Sequence, residues 1–144
     1  MQRIVSLLPR FLYMYKIINF PKIQDSRGNL TFLQYPNQIP FEIQRTFWTY
    51  DVPGGEFRGG HAYKVQEEVI IALSGSFDLI ITKFDGTQDV IHLNSPSLGV
   101  YLKSMTWRHL ENFSTNSFAL HLSSSLFLEE DYIRNFNEYK QFKP

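Results

Sequence analysis

The stretch Gly54–Gly75, GGEFRGGHAYKVQEEVIIALSG, constrains the fold more than any other part of the chain. It opens as a glycine-flanked polar segment carrying Arg58 and His61, then runs into the apolar strand Val69–Leu73. Side chains two apart on a strand point the same way, so His61 and Tyr63 share a face. Arg58 is an odd number of positions from His61, and the intervening Gly59 and Gly60 can hold a bulge or a bend. A polar strand followed by a core strand is how a small β-barrel presents a pocket. The rest of the chain reads as the wall of that pocket.

Short apolar runs separated by turn residues flank this stretch. Ile17–Phe20 is closed by Pro21, and Asn29–Tyr35 follows the turn Asp25-Ser26-Arg27-Gly28. Further strands are expected at Ile43–Asp51, Ser76–Phe84, Gln88–Leu93, Gly99–Leu102, Thr106–Asn112 and Ser117–Ser123, with Asp85-Gly86 as a hairpin signal. Strands at this spacing predict an all-β fold, a closed barrel or a sandwich. Only the C-terminus changes period. Glu129, Glu130 and Asp131 precede Tyr132, Ile133, Phe136 and Tyr139, with Lys140 last, which predicts a short helix with acid first and base last.

At 144 residues the chain is long enough for one domain with a real core. It has no cysteine, which excludes a disulfide framework and thiolate chemistry, and its formal net charge is zero. No global field draws nucleic acid or an acidic membrane, so an anionic ligand would be held by a few local arginines. No run approaches transmembrane length. The N-terminal MQRIVSLLPRFLYMYK is interrupted by Pro9-Arg10 and lacks a small-residue cleavage site, so a cytoplasmic protein is expected. Residues 1–13 read as an extension ahead of a single domain at 14–144.

Two local patterns resemble the cupin superfamily. His61-Ala62-Tyr63, Glu68 and Gly75 match the spacing of its first motif, with Tyr63 where a second histidine is expected. Lys103–Arg108 occupies the second motif without its Pro or Gly, placing Arg108 on a ligand position and His109 facing the other way. A cupin metal needs about three histidines and a carboxylate, whereas an arginine here would oppose a cation. No metal is expected. Four segments in order, Asp25–Leu30, Ile39–Arg45, Arg58–Lys64 and Asp131–Arg134, are similar to those of the metal-free cupins that act as dTDP-4-keto-6-deoxyglucose 3,4-ketoisomerases, the WxcM-like family. The resemblance covers residues 15–142.

That resemblance implies a cupin-type β-barrel or jelly roll, and an isomerase that moves a ketone from C4 to C3 of a dTDP-linked 6-deoxyhexose through an enediol. It implies no cofactor. His61 becomes the general base, since imidazole titrates near neutrality, while Tyr63, with an ordinary pKa near 10, is a poor base able to hydrogen-bond or relay a proton. Arg27, Arg45 and Arg58 are candidates for the diphosphate, Arg108 for a group pointing into the barrel, and Tyr101 and Trp107 for walls of the sugar or platforms for thymine. Family members of this kind are homodimers that exchange N-terminal strands, and Ile17–Phe20 is compatible with such an exchange.

Each of these residues also has a plainer reading. Arg27 fits a solvated turn, Arg45 a surface pair with Glu42 or Asp51, and Tyr101 and Trp107 core packing. His92 and His121 sit on apolar strands as core histidines and receive no role. The alternatives to a ketoisomerase are a related dTDP-sugar epimerase, for which no His–Asp dyad is evident, a non-catalytic nucleotide-sugar-binding cupin, and a metal-dependent cupin oxygenase.

Overall fold

The computed structural model describes residues 14–144, so the expected extension at 1–13 lies outside the described residues. In chain order the strands are β1 (Tyr15–Asn19), β2 (Lys22–Asp25), β3 (Gly28–Thr31), β4 (Arg45–Tyr50), β5 (Arg58–Tyr63) and β6 (Glu68–Ser74). They continue with β7 (Phe77–Thr82), β8 (Gln88–Leu93), β9 (Leu98–Leu102), β10 (Trp107–Glu111), β11 (Phe118–Ser123) and β12 (Tyr132–Ile133). One five-stranded sheet runs β1-β9-β6-β11-β4, a second runs β12-β5-β10-β7-β8, and β2-β3 form a separate hairpin. The two larger sheets make a jelly-roll sandwich, not a closed barrel.

Alternation along the strands decides what lies between the sheets. Ile70 and Ala72 of β6 meet Phe77, Leu79 and Ile81 of β7, with Val100, Leu102, Leu110 and Ala119 completing the cluster. The same inward faces carry Glu68, Arg108 and His121, all buried, at the other end of the sandwich. One end is therefore a dry core and the other a polar cavity. Gly99 cannot carry a side chain here, because a Cβ would sit 2.6 Å from the Phe20 ring that covers the first sheet.

Two expectations change. The strand predicted at Asn29–Tyr35 ends at Thr31, and an unforeseen strand, β2, pairs with it from Lys22↔Thr31 to Asp25↔Gly28. Pro21, which precedes β2, has no N–H to extend that ladder. The predicted C-terminal helix is also shorter, with a 3-10 turn at Glu129–Asp131, then β12, then α1 (Phe136–Lys140). The Asp131 carboxylate accepts from Val65 N at 2.7 Å and Gln66 N at 3.1 Å, fixing this segment against β5 instead of in a helix. Asn135 caps α1 by accepting from Glu138 N at 3.1 Å.

Candidate active site

The polar end of the sandwich encloses a cavity of about 440 Å³ lined from both sheets. This is within the size range of small-molecule sites. β5 contributes Arg58, Gly59, His61 and Tyr63, and β10 contributes Arg108, His109 and Leu110. Glu68 and Ile70 of β6, Thr49 and Phe47 of β4, and His121 of β11 form the facing wall.

The bulge expected at the two glycines is present. His61 pairs with Arg108 and Gly59 with His109, which leaves Gly60 as the extra residue on β5. Gly59 and Gly60 have φ of 96° and 86°, in the region that favours glycine. A Cβ on Gly59 would meet the His109 Cα at 3.1 Å, so the close approach of β5 to β10 also requires glycine there. The extra residue lies on β5, so β10 keeps its alternation: Arg108 faces the cavity, and His109 points to the other face, its Nε2 3.0 Å from Glu111.

His61 is packed between two phenols. Its ring centroid lies 4.9 Å from that of Tyr63 and 5.1 Å from that of Tyr132. β12 pairs Tyr132 directly opposite Tyr63, and the two hydroxyls are 3.2 Å apart. Burial, reinforced by the Arg108 charge, pushes the His61 pKa down to about 3, so the ring is neutral at neutral pH. Burial and the nearby Glu68 carboxylate push the Tyr63 phenol upward. Tyr63 therefore stays protonated and acts as a donor.

Beneath these rings lies Glu68, only 2% exposed. One carboxylate oxygen is bound by the Arg108 guanidinium, and the other accepts from His121 Nδ1 at 2.8 Å. Burial alone would raise the Glu68 pKa, but Arg108 and His121 outweigh it and hold the carboxyl down at about 2. Arg108 also lies over the Tyr63 ring, 4.3 Å from its centroid. Among the described residues no group of three or more His, Asp or Glu is arranged to hold a metal ion.

Of the residues singled out in the sequence, His61, Tyr63, Arg58 and Arg108 come together here. The other four do not line this cavity. Arg27 sits in the exposed β2–β3 turn and pairs with Asp25 at 2.7 Å. Arg45 donates to Gln66 Oε1 at 3.0 Å and lies over the Phe47 and Phe127 rings, not against Glu42 or Asp51. Tyr101 hydrogen-bonds Glu67 and packs with the cluster on the outer face of the first sheet. Trp107 points to the opposite face of β10 from Arg108, where it packs on Phe136 and Tyr139 under the C-terminal helix. Both aromatic side chains are thus spent on packing, by the strand alternation that turns Arg108 inward.

His121 was expected to be an idle core histidine, and His92 likewise. His121 instead lines the cavity, and His92 is half-exposed on β8, 2.6 Å from Asp78. With His109 Nε2 and Glu111 3.0 Å apart, three histidine–carboxylate pairs therefore exist among the described residues where no dyad was evident. The contact between His121 and Glu68 joins residues 53 positions apart, and no local pattern could announce it. Tyr132 was likewise missed because its segment was read as helix.

A jelly roll with a neutral buried histidine and cations at one open end belongs to the cupin class. The family model for WxcM-like, C-terminal (FdtA) matches residues 13–144. The chain is 37% identical over 127 residues to the TDP-4-oxo-6-deoxy-alpha-D-glucose-3,4-oxoisomerase of Aneurinibacillus thermoaerophilus, covering 88% of this chain and 91% of that one. It superposes with a TM-score of 0.86 and 35% identity on QdtA, a sugar 3,4-ketoisomerase from Thermoanaerobacterium thermosaccharolyticum solved with TDP, covering 90% and 94% of the two chains. The WlaRB TDP-quinovose 3,4-ketoisomerase of Campylobacter jejuni gives 0.83 and 37%, covering 88% and 97%. The chain belongs to the WxcM-like family of sugar ketoisomerases.

Proposed function

We propose that this chain is an isomerase that moves the keto group of dTDP-4-keto-6-deoxyglucose from C4 to C3 by acid–base chemistry. The observation that carries the reading is His61: a neutral imidazole, desolvated between the Tyr63 and Tyr132 rings and flanked by Arg58 and Arg108, in a cavity of the right size. Moving a ketone to the neighbouring carbon requires removal of a C–H proton beside a carbonyl. A base that is unprotonated and shielded from water suits that step. The low proton affinity of His61 would rise when a nucleotide sugar brings the negative charge of its diphosphate.

On this reading His61 takes the proton from C3 and, after exchange with solvent, delivers a proton to C4. The Tyr63 hydroxyl, kept protonated, donates to a sugar oxygen. Arg108, anchored by Glu68, is a fixed positive group facing the oxygen on which charge develops, and Arg58 at the mouth meets the diphosphate. We assign no direct substrate contact to Arg45, Tyr101 or Trp107.

The partner proposal is a homodimer with exchanged N-terminal strands. β1 pairs with β9 of its own chain, whereas the β2–β3 hairpin pairs with no other strand. A lone two-stranded hairpin is marginal by itself, and Ile23 and Leu30 are exposed on it. Exchange of this hairpin would bury them and carry Arg27 onto the other subunit. Sedimentation should give twice the chain mass, and a monomer would remove both ideas.

The assay is NMR of the protein with dTDP-4-keto-6-deoxyglucose in heavy water. Ketone migration to C3 with deuterium at C4 is the expected result. His61→Asn should lower turnover by about 10²–10⁴-fold while dTDP affinity is retained. An unchanged sugar despite nucleotide binding would make the protein a binder or a catalyst for another sugar.

A further inference from the structure

Isomerisation requires more than one proton transfer, and His61 accounts for only the carbon-bound proton. The ketone leaves C4 and appears at C3, so a second proton must leave the oxygen on C3 and one must reach the oxygen on C4. Tyr63 stands closest in sequence to that task, but its phenol is buried and holds its proton tightly. The cavity offers another group on the opposite wall.

His121 enters from β11, in the sheet facing that of His61, and lines the same cavity. Its Nδ1–H donates to the buried Glu68 carboxylate at 2.8 Å, which fixes the tautomer and leaves Nε2 as the proton-accepting atom. Phe47 stacks on the ring, with centroids 4.4 Å apart and planes within 9°, and holds its orientation. The Nε2 atom lies beside Thr49 Oγ1 at 3.4 Å, and Thr49 also lines the cavity. A histidine oriented by a buried carboxylate, with its other nitrogen at a ligand cavity, is the arrangement of a working acid–base group. The charged and titratable groups around it are Glu68 of β6, Arg108 of β10, and His61 and Tyr63 of β5.

We propose that His121, oriented by Glu68, is a second acid–base residue that carries the hydroxyl proton from O3 to O4 of the bound sugar. The inference rests on the ketoisomerase reading above. His61 removes the C3 proton, the C3–H electron pair becomes the C3=C4 bond, and the carbonyl pair moves to O4. His121 Nε2 takes the proton from O3 and delivers that same proton to O4. The O3–H pair then forms the new C3=O3 carbonyl, and the C3=C4 pair takes the proton from His61 at C4. Each histidine ends a turnover with the proton count it started with, and no oxidant or reductant enters.

The test separates the two histidines by their two protons. With His121→Gln in heavy water, ketone migration should fall by at least about 100-fold, while deuterium exchange at C3, driven by His61, continues. In the wild-type protein both occur together, so migration there upholds the ketoisomerase reading whatever the variant does. Migration in His121→Gln at the wild-type rate would overturn the proposal, and so would equal loss of migration and exchange. Should the variant not fold, nitrogen-15 NMR of the four histidines in the wild-type chain serves instead, with His61, His92 and His109 variants assigning the signals. The His121 Nε2 resonance should respond to the keto sugar nucleotide and not to dTDP alone. No response to the sugar would overturn the assignment.

Discussion

Two of the three histidine–carboxylate pairs among the described residues, His121–Glu68 and His92–Asp78, are built alike. His121–Glu68 spans 2.8 Å within the sandwich, and His92–Asp78 spans 2.6 Å on its outer surface. Both histidines sit on alternating apolar strands, and both carboxylates have a second partner, Arg108 for Glu68 and Asn112 for Asp78. What separates them is water. The His121 side chain is 8% exposed and the His92 side chain 53% exposed. In the low-dielectric cavity each charge depends on its partner, because water cannot replace one that is lost. At the surface water takes over at once, so the shorter of the two contacts matters less.

Breaking each pair measures that difference. Glu68→Gln leaves the buried Arg108 guanidinium without a counter-charge, and should cost about 3–5 kcal/mol, read as a fall in Tm on the order of 10 °C. Replacement of Arg108 together with Glu68 by apolar residues should recover part of this loss. A Glu68→Gln protein as stable as wild type would mean that the carboxylate is not the hub of the network.

Acid sharpens the same contrast. The Glu68 carboxyl is held at about 2 in the folded chain against 4.5 in the unfolded one. Its contribution is complete above pH 4.5 and is lost as pH falls toward 2. His61, pushed from 6.5 to about 3, acts in the same direction over a higher window, because the unfolded chain takes up a proton that the folded chain refuses. Stability should therefore decline on acidification from about pH 6.5 downward, in two overlapping stages, and His61→Asn should remove the upper stage. Urea midpoints measured across this range would show it, and a flat profile between pH 6.5 and 4.5 would contradict the burial of His61.

The smallest effect belongs to the outer pair. His92→Ala should change stability by about 0–1 kcal/mol and leave ketone migration at its wild-type rate. A larger change in migration would mean that the outer face of the second sheet communicates with the cavity.

Much of this protein was legible in its residues. The strand periodicity, the glycine pair before His61 and the Asp85-Gly86 hairpin all act through local backbone preference, and outside the β2–β3 hairpin each appears where it was read. His61, Tyr63, Arg58 and Arg108 also emerged, because they lie in or align with segments that carry the family resemblance. Errors cluster where a residue's surroundings come from far away. Trp107 and Tyr101 were offered to a ligand, yet one packs beneath α1 and the other bonds Glu67, 34 residues away. The Glu129–Tyr139 stretch has helical spacing, but the Asp131 carboxylate finds two backbone N–H groups near β5 and holds an extended segment in its place.

Alternation and turn chemistry thus determined that the chain folds as an all-β barrel or sandwich, and that one strand presents His61 and Tyr63 together. Those are nearest-neighbour properties, fixed by covalent geometry and the two-residue repeat of a strand. Which face closes on which was decided only in three dimensions. The extra residue at Gly60 set how β5 lies on β10, and the facing of two sheets brought His121 to Glu68 and Glu68 to Arg108. The energy of a charged group is set by the dielectric and by the charges around it, and in a β-sandwich those come from strands remote in sequence. A histidine that reads as inert on its own strand becomes an acid–base group once a buried carboxylate from another strand holds it.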